Sequence, residues 1–330
     1  MTPCRICGNR EENEQVIARE MVFGSREEFP YILCPSCGSL SIEQIPSQEK
    51  LNSLYSRYPN LAKSQFAQSL FRKWVKSYVL SHNNFLAKSL LKVLNTYDDL
   101  RIKALFPYQI PKTAKILDVG SGSGSLIAEL RDLGYNNCLG IDPFLDKDLS
   151  LGCGGKILKR DILEIDSIND ASSYDWIFFH HSFEHVPNPA EVLNRIENLL
   201  KPGGICLLRF PRIESYSFCK FKKDWEGIHP PFHFFLPSYQ GMQHLLQNTA
   251  LQITEIRSEQ LYYLFLFTVS HTLDIADFEP SGVKTQLQNS PRKTPSPFTK
   301  QEICYWRRKT KDVLKENSSD YVGYYLMKTK

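Results

Sequence analysis

No stretch of this chain stays apolar for long. The longest largely apolar run, Leu261 to Val269 with Thr268 inside it, has nine residues. A helix needs about 20 to cross a bilayer, so no membrane span is expected. The first residues, MTPCRICGNR, carry a cysteine pair and charges where a secretory leader would be apolar. The expected compartment is therefore the cytoplasm. Net charge is also scarce. The 40 Lys and Arg against 36 Asp and Glu leave +4 over 330 residues, too little to argue for nucleic acid as a partner. There is no internal repeat. Apolar residues are not lacking: they make up 42% of the chain, with 23% charged. That mixture packs a core and excludes disorder over most of the length. The length suggests about two domains.

In a reducing compartment the nine cysteines are expected as thiols or metal ligands rather than disulfides. Four of them form a pattern, Cys4-Arg-Ile-Cys7-Gly8 and Cys34-Pro-Ser-Cys37-Gly38. Two residues between thiolates let one tight turn aim both sulfurs at one ion, and the glycine lets the backbone turn back. Cys4, Cys7, Cys34 and Cys37 are thus expected to hold a structural zinc in a ribbon over 1–47. Four sulfurs fill a tetrahedral ion and leave no open position for catalysis. The other five cysteines have no ligand spacing. In the ribbon, acidic residues outnumber basic ones, which weighs against an RNA-binding ribbon.

Residues 48–110 read as a helical link. Phe66, Leu70, Trp74 and Tyr78 recur every fourth position, and Phe85, Leu86, Leu90, Leu91 and Leu94 continue the stripe. Arg72, Lys73, Lys76, Lys88 and Lys92 lie among them. A packing helix with a solvated basic face is favoured over a membrane-surface or partner helix. Pro107 and Pro111 close this region.

From Pro111 the texture alternates between strand and helix. The strand AKILDV, 114–119, runs into Gly120-Ser-Gly122-Ser-Gly124 and then the helical LIAELRDLG. A glycine-rich turn between strand and helix is where a doubly wound sheet binds a nucleotide. The spacing is not the dinucleotide one, since Ser125 stands where its third glycine would fall. Asp118 precedes the first glycine, where a carboxylate repels pyrophosphate and suits an ammonium or sulfonium. S-adenosylmethionine carries both of those groups and no phosphate.

The segment ILDVGSGSG resembles the first motif of class I S-adenosylmethionine-dependent methyltransferases. Further matches follow in order: a strand 137–141 ending in Asp142, a strand 156–160 followed by Asp161 and Ile162, a fourth strand 174–179, then Glu184-His-Val-Pro-Asn-Pro189, and finally Lys201-Pro-Gly-Gly204 before a fifth strand 205–210. The resemblance implies that Asp118, Gly120, Gly122 and Gly124 line the cofactor. It also implies that Asp142 takes both ribose hydroxyls, and that Asp161 receives the adenine amino group with Ile162 beside the ring. The implied fold is α/β, a seven-stranded Rossmann-like doubly wound sheet whose last strand is antiparallel. Its sixth and seventh strands are expected at 251–256 and 321–327. The core spans 111–260. An insertion and the final strand fill 261–330, with a Pro/Ser-rich loop at 281–297 and a helix at 301–315.

Two knuckles, a helical link and this core look like bacterial methyltransferases acting on sugars. The stretch His229-Pro-Pro-Phe-His233-Phe-Phe-Leu-Pro-Ser238 resembles one of theirs. The implied partner is a sugar or glycan, nucleotide- or lipid-linked. Such a reaction needs a positioned acceptor and, for a hydroxyl or ketone α-carbon, a base. His181 or His185 is the expected base beside Glu184, with His233 holding the acceptor. His180 alternates to the other face. A second reading rests on ubiquinone-pathway O-methyltransferases, whose similar stretch has an acidic residue where His181 stands here; it makes His181, Glu184 and His185 a metal set. Phe218, Phe221, Trp225, Phe232, Phe234, Phe235 and Tyr239 are candidate sugar-stacking rings or a packed lid. Two other functions compete: an rRNA-type methyltransferase reading RNA through its ribbon, and a non-catalytic ribbon module.

Overall fold

The computed structural model describes residues 2–55, 70–91, 94, 97–106, 108–165, 170–276 and 297–329. Phe66, Lys92, Pro107 and the loop at 281–296 lie outside them, as does the side chain of Leu70. Two compact units divide the chain. One takes 62–180, 195–208 and 325–330; the other takes 1–61, 181–194 and 209–324.

The central sheet begins with β4 (Ile116–Val119), whose four residues are all buried. It runs parallel to β5 (Cys138–Ile141) on one side and β8 (Tyr174–His180) on the other. β7 (Lys156–Leu158) pairs parallel with β5. With β9 (Leu200–Pro211), β11 (Leu251–Glu259) and β12 (Tyr321–Lys328) the sheet order is β11-β12-β9-β8-β4-β5-β7-β6. This is the expected doubly wound α/β fold with one strand more than the seven foreseen. The addition is β6 (Leu149–Ser150), antiparallel to β7. Its turn closes through Leu151 N–H to Gly155 O at 2.8 Å, and Gly154 there has a φ of +81°. The third strand ends at Leu158 rather than 160, because Asp161 already caps a 3₁₀ turn over Ile162–Glu164.

The helical link contains α2 (Leu70–Ser81), α3 (Phe85–Leu90) and α4 (Tyr97–Leu105). Its buried face is the expected stripe only in part: Leu94 is buried, and Tyr78, Leu90 and Leu91 pack against the core. Val75, Val79, Leu80, Ala87 and Leu94 enter the core, whereas Trp74 is 51% and Phe85 86% exposed, and Leu86 is exposed too. Compact β-branched residues at i and i+4 seat against the core, while the neighbouring rings stack on each other. Phe71–Trp74, Trp74–Tyr78 and Tyr78–His82 have centroids 6.1, 5.6 and 4.2 Å apart. The basic face needs the same correction. Lys76 is only 1% exposed and is bonded to the buried Glu129 of α5 (Ser125–Asp132). Arg101 lies 3.9 Å from Glu129's other oxygen.

In the second unit, β1 (Glu14–Arg19), β2 (Glu28–Leu33) and β3 (Leu40–Ile42) form the ribbon, all antiparallel. Residues 1–47 do not complete it: β10 (Phe235–Leu236) pairs with β3 as a fourth strand. The apolar run at 261–269 forms α9 (Tyr262–Thr272). Its Phe265 and Leu266 pack with Phe298, Trp306 and Val313. α10 (Lys300–Lys315) follows, with a capping box between Thr299 and Glu302. Among the described residues no helix is long and apolar enough to cross a membrane.

Replacing Lys76 by Met leaves the buried Glu129 carboxylate to the more distant Arg101 and should cost about 3 kcal/mol. The Lys76→Met/Glu129→Leu double variant should recover most of that. Urea unfolding of the three proteins checks this; equal losses in single and double variants would contradict it.

Candidate active site

The turn after β4 is built on glycines at positive φ: Gly120 +73°, Gly122 +53° and Gly124 +76°. Gly124 must be glycine for space as well, because a Cβ would come within 2.6 Å of Ile157. Gly122 differs. Nothing lies within 4 Å of where its Cβ would be, so the loop backbone is open to a ligand there. Asp142, one residue past β5, anchors the loop. Its Oδ2 accepts from Gly122 N–H and its Oδ1 from Phe144 N–H, both at 2.9 Å. Each oxygen keeps a lone pair for a ribose hydroxyl. Asp118 is buried, and burial pushes its carboxyl up to about 6 against the pull of Ser121 and Arg101. Two buried acids beside an open glycine loop fit a cationic, ribose-bearing ligand. Asp161 spends Oδ1 on the N–H of Leu163 at 2.8 Å, and Ile162 is buried.

A second group of polar residues lies in the other unit. His181 follows β8 at a φ of +57°, and its N–H bonds Arg209 O at 2.9 Å. Phe183–His185 make a 3₁₀ turn that sinks Glu184 completely. Its Oε1 is 3.7 Å from His181 Nδ1 and 3.8 Å from His233 Nε2, too far for hydrogen bonds. Neither carboxyl oxygen has a hydrogen-bond partner among the described residues. Burial therefore pushes the group up to about 8, and it carries a proton at neutral pH. The imidazoles go the other way. Burial holds His185 down to about 4 and His229 to about 3, and His181 and His233 well below the usual range.

Backbone carbonyls fix two of those rings. His185 Nδ1 is 2.8 Å from Phe232 O, and His233 Nδ1 is 2.8 Å from Gly227 O. A carbonyl only accepts, so in the neutral His233 ring Nδ1 carries the proton and Nε2 the lone pair; His185 has a second backbone partner at His181. Glu184, His185 and His233 bring their ligand atoms within 4.8 Å of one another. All four expected catalytic residues thus meet. His181 is outside that tightest group, so the metal set read as His181, Glu184 and His185 is not the one assembled; His233 takes the third place.

The four cysteines also converge. Cys4 and Cys37 sulfurs are 3.7 Å apart, Cys7 and Cys34 3.6 Å, and all four lie within 4.8 Å of one another. A tetrahedron with metal–sulfur bonds of about 2.3 Å has edges of about 3.8 Å, so the donor set fits zinc. In each knuckle the glycine N–H returns to the first cysteine's carbonyl, Gly8 to Cys4 and Gly38 to Cys34.

A family model described as a methyltransferase domain matches residues 92–256. The chain belongs to this methyltransferase family. The matched span holds the glycine loop, Asp118, Asp142 and the Glu184, His185 and His233 group. Among curated proteins, a ubiquinone biosynthesis O-methyltransferase of Xanthomonas axonopodis is 30% identical over 122 residues, 34% of this chain and 49% of that protein. One from Burkholderia thailandensis is 22% identical, covering 59% of this chain and 90% of that protein. The chain thus spans about half the length of the first of these. Among solved structures, a SAM-dependent methyltransferase from Archaeoglobus fulgidus is 15% identical with a TM-score of 0.44, covering 74% of this chain and all of that one.

Of the two readings of the candidate rings, sugar-stacking or a packed lid, the first needs correction. Phe218, Trp225, Phe232, Phe234 and Phe235 are buried, so they pack the fold rather than offer a platform; Tyr239 alone of the seven is exposed. Arg209 is likewise buried and bonded to Glu259. One site residue escaped the sequence reading. Tyr31, fully buried in β2, donates its hydroxyl to His233 O at 2.9 Å. Its only signal was a polar tip on the inward face of a strand.

Glu184 gives a signed pH effect. Its folded value, about 8, lies above the ordinary 4.5, so its contribution to stability is complete below about pH 4.5 and is lost as pH rises through 8. The slope reaches at most about 1.4 kcal/mol per pH unit. Glu184→Gln should abolish that loss. Urea midpoints at pH 6, 7 and 8 test this; parallel profiles for the two proteins would refute it.

Proposed function

We propose that this protein transfers a methyl group from S-adenosylmethionine to a sugar, nucleotide- or lipid-linked, or to a related small metabolite, using a histidine as general base. The observation that carries the base is the convergence of His185 and His233 on the buried Glu184, with the Nε2 lone pair of His233 turned away from the carbonyl that holds Nδ1. When bound, S-adenosylmethionine supplies the sulfonium methyl. Asp118 would face its cationic part, Asp142 the ribose and Asp161 the adenine amino group, with Ile162 beside the ring. Gly120, Gly122 and Gly124 let the backbone approach. The acceptor proton would pass to a ring nitrogen of His185 or His233, and the charge formed there would sit beside Glu184. His181 lies close enough to Glu184 to share that charge.

The names of the curated relatives favour oxygen as the atom methylated. The sugar reading rests on the resemblance carried by the two cysteine knuckles and the His229–Ser238 stretch. Cys4, Cys7, Cys34 and Cys37 would hold a structural zinc, and a cytoplasmic setting would keep them reduced.

Calorimetry with S-adenosylhomocysteine is the direct test. Asp142→Ala should weaken binding about tenfold to a hundredfold, the worth of hydrogen bonds to a charged group. No binding by the natural chain would sink the proposal. The free Asp118 carboxyl stands at about 6 and a cationic ligand prefers it ionised. S-adenosylmethionine should therefore bind more tightly as pH rises from 5 to 7, by up to about tenfold per unit, and then level off. Asp118→Asn should bind weakly and without that slope.

A further inference from the structure

We infer that the second cysteine knuckle sets the position of His233, so that metal at the ribbon governs the acceptor-side site. The inference rests on the reading of His233 as an acceptor-side group. Two residues join the knuckle to the segment that carries it. Ser238 donates its hydroxyl to Cys37 O, and its N–H donates to Ser39 Oγ at 3.1 Å. The same hydroxyl caps α8 (Tyr239–Leu246), accepting from Gly241 N–H at 2.9 Å. Gly38 closes against it: a Cβ there would lie 3.5 Å from that of Ser238. Tyr31 makes the second link, from β2 to His233 O. Between these two points Phe234 joins ribbon and site through its backbone, accepting from Ile42 N–H at 2.9 Å and donating to Glu184 O at 2.8 Å.

The geometry of the segment therefore has two sources. His233 Nδ1 is held by Gly227 O, within its own loop. On the other side Glu184 and His185 bond Phe234 and Phe232, and the remaining links run to the ribbon. The ribbon spans fewer than about 50 residues, and a piece of that size depends on its metal to fold. Losing the ion releases Cys37 and Ser39 from their turn, and with them both partners of Ser238. Tyr31 and Ser238 are positioning residues: they touch the backbone of the segment and act through His233. The cofactor-side residues Asp118, Gly122 and Asp142 bond among themselves and their neighbours in strand and loop, with no ribbon residue among those partners.

The test is hydrogen exchange on the full-length protein before and after zinc is stripped by a tight chelator, with S-adenosylhomocysteine calorimetry on both samples. Loss of zinc should lower protection of 229–241 by about tenfold or more, together with that of 31–42. Protection of 116–142 and ligand binding should stay. Unchanged protection of 229–241 overturns the inference. So does loss of protection throughout the chain, since the metal would then hold the whole fold. Tyr31→Phe and Ser238→Ala, tested with zinc content intact, should each shift the ring nitrogen signals of His233 in long-range nitrogen–proton spectra; a His233 unmoved in both overturns it. Coupled loss of protection in a protein that never bound S-adenosylhomocysteine supports the inference and overturns the cofactor reading instead.

Discussion

Phe234 makes two backbone hydrogen bonds in opposite directions, one to the ribbon at Ile42 and one to Glu184. This residue ties the four-cysteine ribbon to the turn that carries Glu184. It leads into β10, which pairs with β3 at the edge of the ribbon sheet. It also holds the 3₁₀ turn of Phe183–His185 by the Glu184 carbonyl, and the Glu184 side chain is fully buried there. Everything distinctive about the titration of the site follows from that depth.

The same depth explains why the charges oppose expectation. In water a glutamate would be ionised and a histidine partly so. Burial penalises the charged form of each, so the acid keeps its proton and the bases lose theirs. The groups become neutral together, and no net charge needs a counterion. Burial in Glu184 outweighs the pull of Arg209, which is bonded to Glu259 and draws both Glu184 and His181 down.

Much of this was legible in the sequence. Glycine spacing gave the tight turn after β4, whose glycines do stand at positive φ. The cysteine knuckles were equally plain, and their sulfurs converge. The helical link was misread in part: Leu94, Leu90 and Leu91 reach the core, but the large rings at Trp74 and Phe85 are exposed, Val75 and Val79 are buried instead, and Lys76 enters with its own counterion. Periodicity marks a face but not which of two adjacent stripes turns inward. β10 and Tyr31 were invisible for another reason. A two-residue strand has no period, and a buried tyrosine differs from an exposed one only in its partner.

A proton acceptor that is neutral at rest suits this chemistry. If His185 or His233 were already protonated at neutral pH, neither could take the acceptor proton. Holding both far below the usual histidine range makes them available but weak. Glu184 lies 3.8 Å from His233 Nε2, beside the charge that would form there. Phe234 N–H holds the Glu184 carbonyl, and Ser238 bonds the second cysteine turn, so the segment that carries His233 is tied on one side to the acid and on the other to the ribbon.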